Sequence, residues 1–188
     1  MQNRVHGLSL IELLIVLSLL GLLLFSMNLQ GLGRSRETKS IDAVMIDIVS
    51  AVSMARQAAV SESKLVTFCR SDDGQHCQGK WHEGSIIFTD SNGDRIINGD
   101  DRLLTRFPAI TPSGRLSFNS FRNRQYLQLT PFGMTNYQNG NFTWCPDNGD
   151  ATLARQVIVS VTGRTRYAKD RDGDGVVENS QGEAVECD

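Results

Sequence analysis

An α+β fold follows from three observations on the bare sequence. Leu8 to Met27 is an apolar run of about twenty residues, helical spacing of apolar residues then continues to about Ser61, and only short β-type runs come after it. The expected architecture is a long N-terminal helix, a membrane half followed by an amphipathic half, packed on an antiparallel β-sheet domain. The expected organisation is a leader at 1–7, a membrane helix at 8–28, and a domain at 29–188 that begins with the second half of the helix.

The apolar run is long enough to cross a hydrocarbon core of roughly 30 Å at about 1.5 Å per residue. One carboxylate, Glu12, interrupts it. A carboxylate in a membrane span is costly and marks function, so it calls for a cationic partner. The leader Met1-Gln-Asn-Arg-Val-His-Gly7 is polar, with Arg4 as its only fixed charge. A secretory signal would place its small-residue cleavage site after the apolar stretch, and Phe25-Ser26-Met27-Asn28 matches that pattern poorly. Here the small residue, Gly7, comes before it. The competing reading is an ordinary membrane anchor with an incidental glutamate.

Beyond the span, Ile41, Val44, Met45, Ile48, Ala51, Val52, Ala55 and Ala59 recur at steps of three and four, which predicts a core-facing helix stripe. Gly31-Leu-Gly33 lies between the two halves, where two glycines make bending or melting cheap. Strands are expected at 65–69, 85–89, 115–118, 126–130, 141–145 and 156–161, separated by Gly, Asn, Asp and Pro turns.

At 188 residues, 40% hydrophobic and a net charge of −2, the chain has enough apolar content for one soluble domain with a real core, and no global charge that calls for nucleic acid. The four cysteines, Cys69, Cys77, Cys145 and Cys187, all follow the span. An even count in an exported domain points to two disulfides, with three pairings open. Cys69 with Cys77 would close a polar loop and Cys145 with Cys187 would pin the tail, contributing about 2.5 and about 4 kcal/mol in the chain-entropy treatment. The rivals are a metal site using Cys77 and His82, or buried thiols. The cysteine spacing lacks C-x-x-C and the chain has three histidines, which disfavours zinc.

Gly7-Leu8-Ser9-Leu10-Ile11-Glu12-Leu13 resembles the processing site of type IV prepilins and type II secretion pseudopilins. The resemblance implies that prepilin peptidase cuts after Gly7 and that the new N-terminus at Leu8 is methylated. It also implies a type IV pilin-like fold. Cleavage would leave a cationic amine at Leu8, and Glu12 of one subunit would neutralise the amine of a neighbour as helices stack. The family usually has Phe where this chain has Leu8, and often a proline near the glycine pair. Trp81-His-Glu-Gly84-Ser-Ile-Ile-Phe88-Thr-Asp90-Ser-Asn92-Gly93-Asp94, followed by Asp101-Arg-Leu103-Leu104, resembles the domain shared by GspH pseudopilins and the FimT and FimU minor pilins. Gly163-Arg164-Thr165-Arg166, expected after the last strand, resembles the motif linked to DNA binding in FimT proteins.

A charge argument for DNA stands beside that resemblance. No Asp or Glu occurs from Arg102 to Pro146, while Arg102, Arg106, Arg115, Arg122 and Arg124 interleave with Phe107, Phe118, Phe121 and Tyr126. Arg155, Arg164, Arg166, Lys169 and Arg171 form a second basic group. Guanidinium groups bind phosphate and aromatics stack on bases. The opposing reading makes the arginines a solvated face and the aromatics core. The DNA candidates are Arg164, Arg166, Lys169 and Arg171.

Two acidic loops match calcium-loop spacing in part. Asp170-x-Asp172-x-Asp174-Gly175-x-Val177 fits the first eight positions, but Gln181 stands where a bidentate Glu is usual. Asp90-x-Asn92-x-Asp94 is the weaker match, because Arg95 occupies the turn-glycine position. Asp- and Asn-rich turns also form without an ion. No nucleophile motif or catalytic set emerges, so no enzyme is expected. The reading is a minor type IV pilin anchored in the bacterial inner membrane with its domain in the periplasm. It would enter a pilus at or near the tip beside other minor and major pilins, promote assembly, and capture double-stranded DNA for natural transformation. The alternatives are a GspH-like pseudopilin of type II secretion and a membrane-anchored binding protein that never polymerises. No cofactor is expected beyond the calcium candidate.

Overall fold

The computed structural model describes residues 9–110 and 113–187. Two compact units divide the chain, Met1–Lys39 and Ser40–Asp188. The processing residues Gly7 and Leu8 lie outside the described residues.

The described part of the first unit is helix from Leu10 onward. Helical backbone (α1) runs over Leu10–Glu62 and is the only α-helix among the described residues. It continues through Gly31 and Gly33, so the glycine pair does not melt it. Ser9 opens it: its Oγ accepts the Glu12 N–H at 3.3 Å, and its carbonyl accepts the Glu12 and Leu13 N–H groups. Ser-x-x-Glu is a capping-box spacing, which sets Glu12 in the first turn, where the helix dipole favours an anion. Leu10, Ile11, Leu13, Leu14, Ile15, Val16 and Leu17 are all at least half exposed. A helix whose described apolar residues are exposed on every face suits lipid or other helices.

The second unit begins with the remainder of α1. Ile41, Val44, Met45, Ile48, Ala51, Val52, Ala55 and Ala59 are all buried there, the same stripe that the spacing predicts. Thr38–Glu62 is by length and composition apolar enough to cross a membrane, yet that stripe is spent on the core of the domain. Ser63, at φ 53, ends the helix in the left-handed conformation.

Among the described residues eight strands follow: β1 (Val66–Arg70), β2 (Ser85–Thr89), β3 (Leu103–Phe107), β4 (Gly114–Ser120), β5 (Tyr126–Leu129), β6 (Gly140–Pro146), β7 (Arg155–Val159) and β8 (Thr165–Tyr167). They form two antiparallel sheets in the orders β3-β2-β1-β5 and β4-β6-β7-β8. β3 and β8 were not expected from the sequence. Neither was the division into two sheets, which separates the consecutive strands β4 and β5.

Phe68, Trp81, Phe118 and Phe142 meet the helix stripe in one core, with Phe118 stacked on Phe142 at 4.3 Å and Trp81 edge-on to Phe142 at 5.0 Å. β1 and β2 are covered on both faces. Val66, Phe68 and Ile87 face the helix, while Cys69, Ile86 and Phe88 lie under a smaller cluster with Ile97, Leu103 and Tyr126. β4 alternates instead, with Leu116 and Phe118 in and Arg115, Ser117 and Asn119 out. That parity puts arginine and aromatic on opposite faces of the strand, so they form no joint stacking platform. Of the other arginines, Arg102 pairs with Glu62, Arg106 donates to the Gly74 carbonyl at 2.8 Å, and Arg155 pairs with Asp42 at 3.1 Å.

Candidate functional site

The Gly-Arg-x-Arg segment occupies the β7–β8 turn and β8 itself. It therefore forms the last strand, where the sequence places it after that strand. The turn is closed by Ser160: its N–H donates to the Arg164 carbonyl at 2.9 Å and its Oγ accepts the Arg164 N–H at 3.2 Å. Gly163 has φ +70 and is buried, and a Cβ there would press into the Gly133 carbonyl oxygen. Only glycine combines that φ with that approach. The same Gly133 oxygen accepts Arg56 Nε of α1 at 3.0 Å, and Thr135 N–H donates to the Val161 carbonyl at 2.9 Å. The turn is thus fixed to the 130–135 loop, which is fixed in turn to the helix.

Arg164 and Arg166 project from this frame. Both are exposed, and among the described residues neither guanidinium has a hydrogen-bond or ion-pair partner. Arg166 pairs with Ile158 in the ladder, on the side opposite the buried Val157 and Val159. Lys169 and Arg171 lie farther on, in the loop that also carries Asp170, Asp172 and Asp174. Aspartates flank both in the sequence, at 170 and 172.

Cys69 is joined to Cys77 and Cys145 to Cys187, with Cα atoms 5.5 Å apart in each pair. The first bond ties the β1–β2 loop to the outer cluster of the first sheet. The second packs with Ala154, Val177 and Val185 and holds the tail to β6.

Two acidic groups bring three carboxylate oxygens within 4.8 Å of one another. In the first, Asp170, Asp172 and Asp174 are all exposed. Asp170 accepts the Gly173 and Gly175 N–H groups, Asp174 accepts that of Val176, and the nearby Glu178 accepts that of Arg171, so the loop satisfies itself. The second is Asp90, Asp94 and Asp101, and the sequence reading missed Asp101. Asp94 is held below the usual carboxylate range, chiefly by the Asn98 side-chain amide and then by the Ile96 N–H. Asp73, in the neighbouring β1–β2 loop, is also held below that range, first by His76 Nδ1 at 2.6 Å and then by the His76 and Gln75 N–H groups.

A long N-terminal helix with a carboxylate in the first turn of its otherwise apolar first half, followed by antiparallel sheet, is a type IV pilin-like fold. The model described as "Type II transport protein GspH" matches residues 46–163, more than half of the chain, and that of the prokaryotic N-terminal methylation motif matches residues 2–27. The chain belongs to the GspH family of minor pilins and pseudopilins. Its fold is similar to that of the type IV minor pilin FimU of Pseudomonas aeruginosa, with a TM-score of 0.53, 18% identity, and 72% of this chain and 90% of that one covered. The minor pseudopilin EpsH of the Vibrio cholerae type 2 secretion system gives a TM-score of 0.49 at 8% identity, covering 68% and 95%. No curated protein matches the sequence. Pilins and pseudopilins are structural subunits, so this chain is a structural protein and not an enzyme. Membership implies association with other pilins or pseudopilins and processing by prepilin peptidase.

Proposed function

We propose that the chain is a minor subunit of a type IV pilus, set at or near the tip with its domain outside the inner membrane, and that it binds duplex DNA there through Arg164 and Arg166. Cleavage after Gly7 exposes the Leu8 amine, and Glu12 of one subunit neutralises the amine of the next during assembly. Withdrawal of both charges from water is tolerated because they pair.

The observation that carries the DNA reading is the exposed, unpartnered arginine pair on a turn anchored by Gly163. Guanidinium groups held on a fixed edge recognise phosphate without reading bases. Lys169 and Arg171, beside three aspartates, add little positive field, so Arg164 and Arg166 carry the binding. The same pair favours a pilus over a secretion pseudopilus, whose cargo is protein.

The test is gel retardation of duplex DNA by the full chain in detergent. Affinity should fall with salt and depend little on sequence. Replacing Arg164 and Arg166 together by Gln should weaken binding equally for all sequences and flatten the salt slope by up to about 2, roughly 0.9 for each lost phosphate contact. No retardation of wild type at about 50 mM salt removes the DNA role. Cross-linking to the major pilin in sheared pili tests the assembly role separately and distinguishes it from a pseudopilus or a lone anchor.

A further inference from the structure

We infer that the loop between β2 and β3 is a calcium site built on Asp90, Asp94 and Asp101. This inference stands apart from the pilus reading, since it uses only residues of the second unit.

Asp90 carries the argument. Its side chain is fully buried, at 0% exposure. Oδ2 accepts three hydrogen bonds, from Thr67 Oγ1 at 2.5 Å, Gln128 Nε2 at 3.1 Å and the Arg95 N–H at 3.2 Å. Oδ1 is equally buried and has no partner. A buried carboxylate is stable when it is paired with a cation or coordinates a metal. No Lys, Arg or His among the described residues forms an ion pair with Asp90, Asp94 or Asp101: Arg102 is engaged by Glu62, and Arg95 lies over the Tyr126 ring at 4.9 Å. Three carboxylates are therefore gathered with oxygens within 4.8 Å of one another, one of them carrying a buried oxygen without a partner, and the charge of Arg95 reaches Asp94 without an ion pair. Calcium–oxygen distances of about 2.4 Å place opposite ligands about 4.8 Å apart, so the spacing suits one ion.

The stretch from Asp90 to Asp101 is twelve residues long, and its oxygens fall where calcium loops place them. Asp90, Asn92 and Asp94 hold positions one, three and five, the Ile96 carbonyl position seven, Asn98 position nine, and Asp101 position twelve. Position six is ordinarily glycine, and here Arg95 itself takes φ +66, the left-handed conformation that glycine would supply. Ile97, at position eight, packs on Cys69, Ile86 and Phe88. The amides of Asn92 and Asn98 now donate to Asp94 Oδ2 at 2.7 and 2.8 Å, and turning them over would present their carbonyl oxygens to the ion. An all-oxygen, carboxylate-rich set on a loop that can adjust fits Ca²⁺ better than Mg²⁺, which demands near-ideal octahedral geometry and keeps its waters. The aspartates at 170, 172 and 174 lack the counterpart of the Asp90 orphan, since they are exposed and hydrogen-bonded within their own loop.

The full chain in detergent, stripped with chelator, is titrated with CaCl₂ by calorimetry and by thermal melting. Binding in the range of about 10⁻⁴–10⁻³ M, usual for extracellular modules, is expected, with a weaker response to MgCl₂. Asp101→Asn should weaken binding at least about tenfold, with the near-ultraviolet circular dichroism of the calcium-free protein unchanged. Asp174→Asn should bind as wild type. Asp90→Asn removes the buried charge and keeps an acceptor for Thr67, so it should melt higher than wild type without calcium and lose the calcium-induced rise. No binding at 10 mM (about ten times the weakest affinity expected of such modules), binding lost in Asp174→Asn but kept in Asp101→Asn, or Asp90→Asn melting lower than wild type in chelator would each overturn the assignment.

Discussion

Replacing Gly163 by alanine tests whether the arginine turn is held as described. Two costs add there. An L-residue at φ +70 loses about 1–2 kcal/mol from the clash of its Cβ with the following carbonyl. The new methyl also presses into the Gly133 oxygen and approaches Arg56 Cδ at 3.2 Å, and that oxygen cannot retreat without breaking its bond to Arg56 Nε. Overpacking of this kind costs about 1–3 kcal/mol, so the variant should lose about 2–5 kcal/mol in all. Gly149→Ala is the control. It has φ +71 and nothing within 4 Å of the added Cβ, so only the first cost applies. Trp81 and Trp144 are both buried in the second unit, so tryptophan fluorescence during urea or thermal unfolding of the full chain in detergent reads this domain. The melting temperature of Gly163→Ala should fall by roughly 5–15 °C, and further than that of Gly149→Ala. Equal shifts in the two variants would mean that the Gly163–Gly133 approach does not exist.

Glu12→Ala removes a charge from an apolar helix and leaves the Glu12 N–H bonded to Ser9, so it should still insert in the membrane while losing complementation of piliation; normal complementation would remove the charge-pairing role. Non-reducing peptide mapping should find Cys69 joined to Cys77 and Cys145 joined to Cys187, and a crossed pairing would contradict the placement of the tail on β6. The Asp73 carboxyl should stay ionised below the ordinary value of about 3.9, with its stabilising contribution intact above that value and lost as pH falls through the lower folded-state value. Carboxyl NMR titration reads this directly, and His76→Ala should bring Asp73 back toward the ordinary range.

The helix was legible because eight buried residues repeat at one period and nothing non-local is needed to place them. The longer strands were legible for the same reason. β8 was not, because Thr165-Arg166-Tyr167 is too short and too polar to show alternation, and it is a strand only through its pairing with β7. β3 hid in a stretch noticed for its arginines. The split into two sheets depends on β5 joining β1 across some sixty residues, which no local pattern encodes. Arg95 was read against a calcium loop on residue type alone, whereas its backbone takes the conformation glycine would have supplied. Asp101 was read only as part of a family motif and not as a ligand, because Asp90 and Asp94 come within reach of it only once the loop has closed. Of the interleaved arginines and aromatics, strand parity sends Phe118 into the core and Arg115 to solvent, while Arg122 lies over the exposed Phe121 ring at 5.4 Å.

The central claim is that this chain is a processed pilin subunit that enters a pilus. Mass spectrometry of the chain recovered from sheared pili reads both parts at once. The account predicts its presence at low abundance with a methylated N-terminus at Leu8. A chain absent from the pilus fraction that still begins at Met1, or one cut beyond Met27, would contradict it.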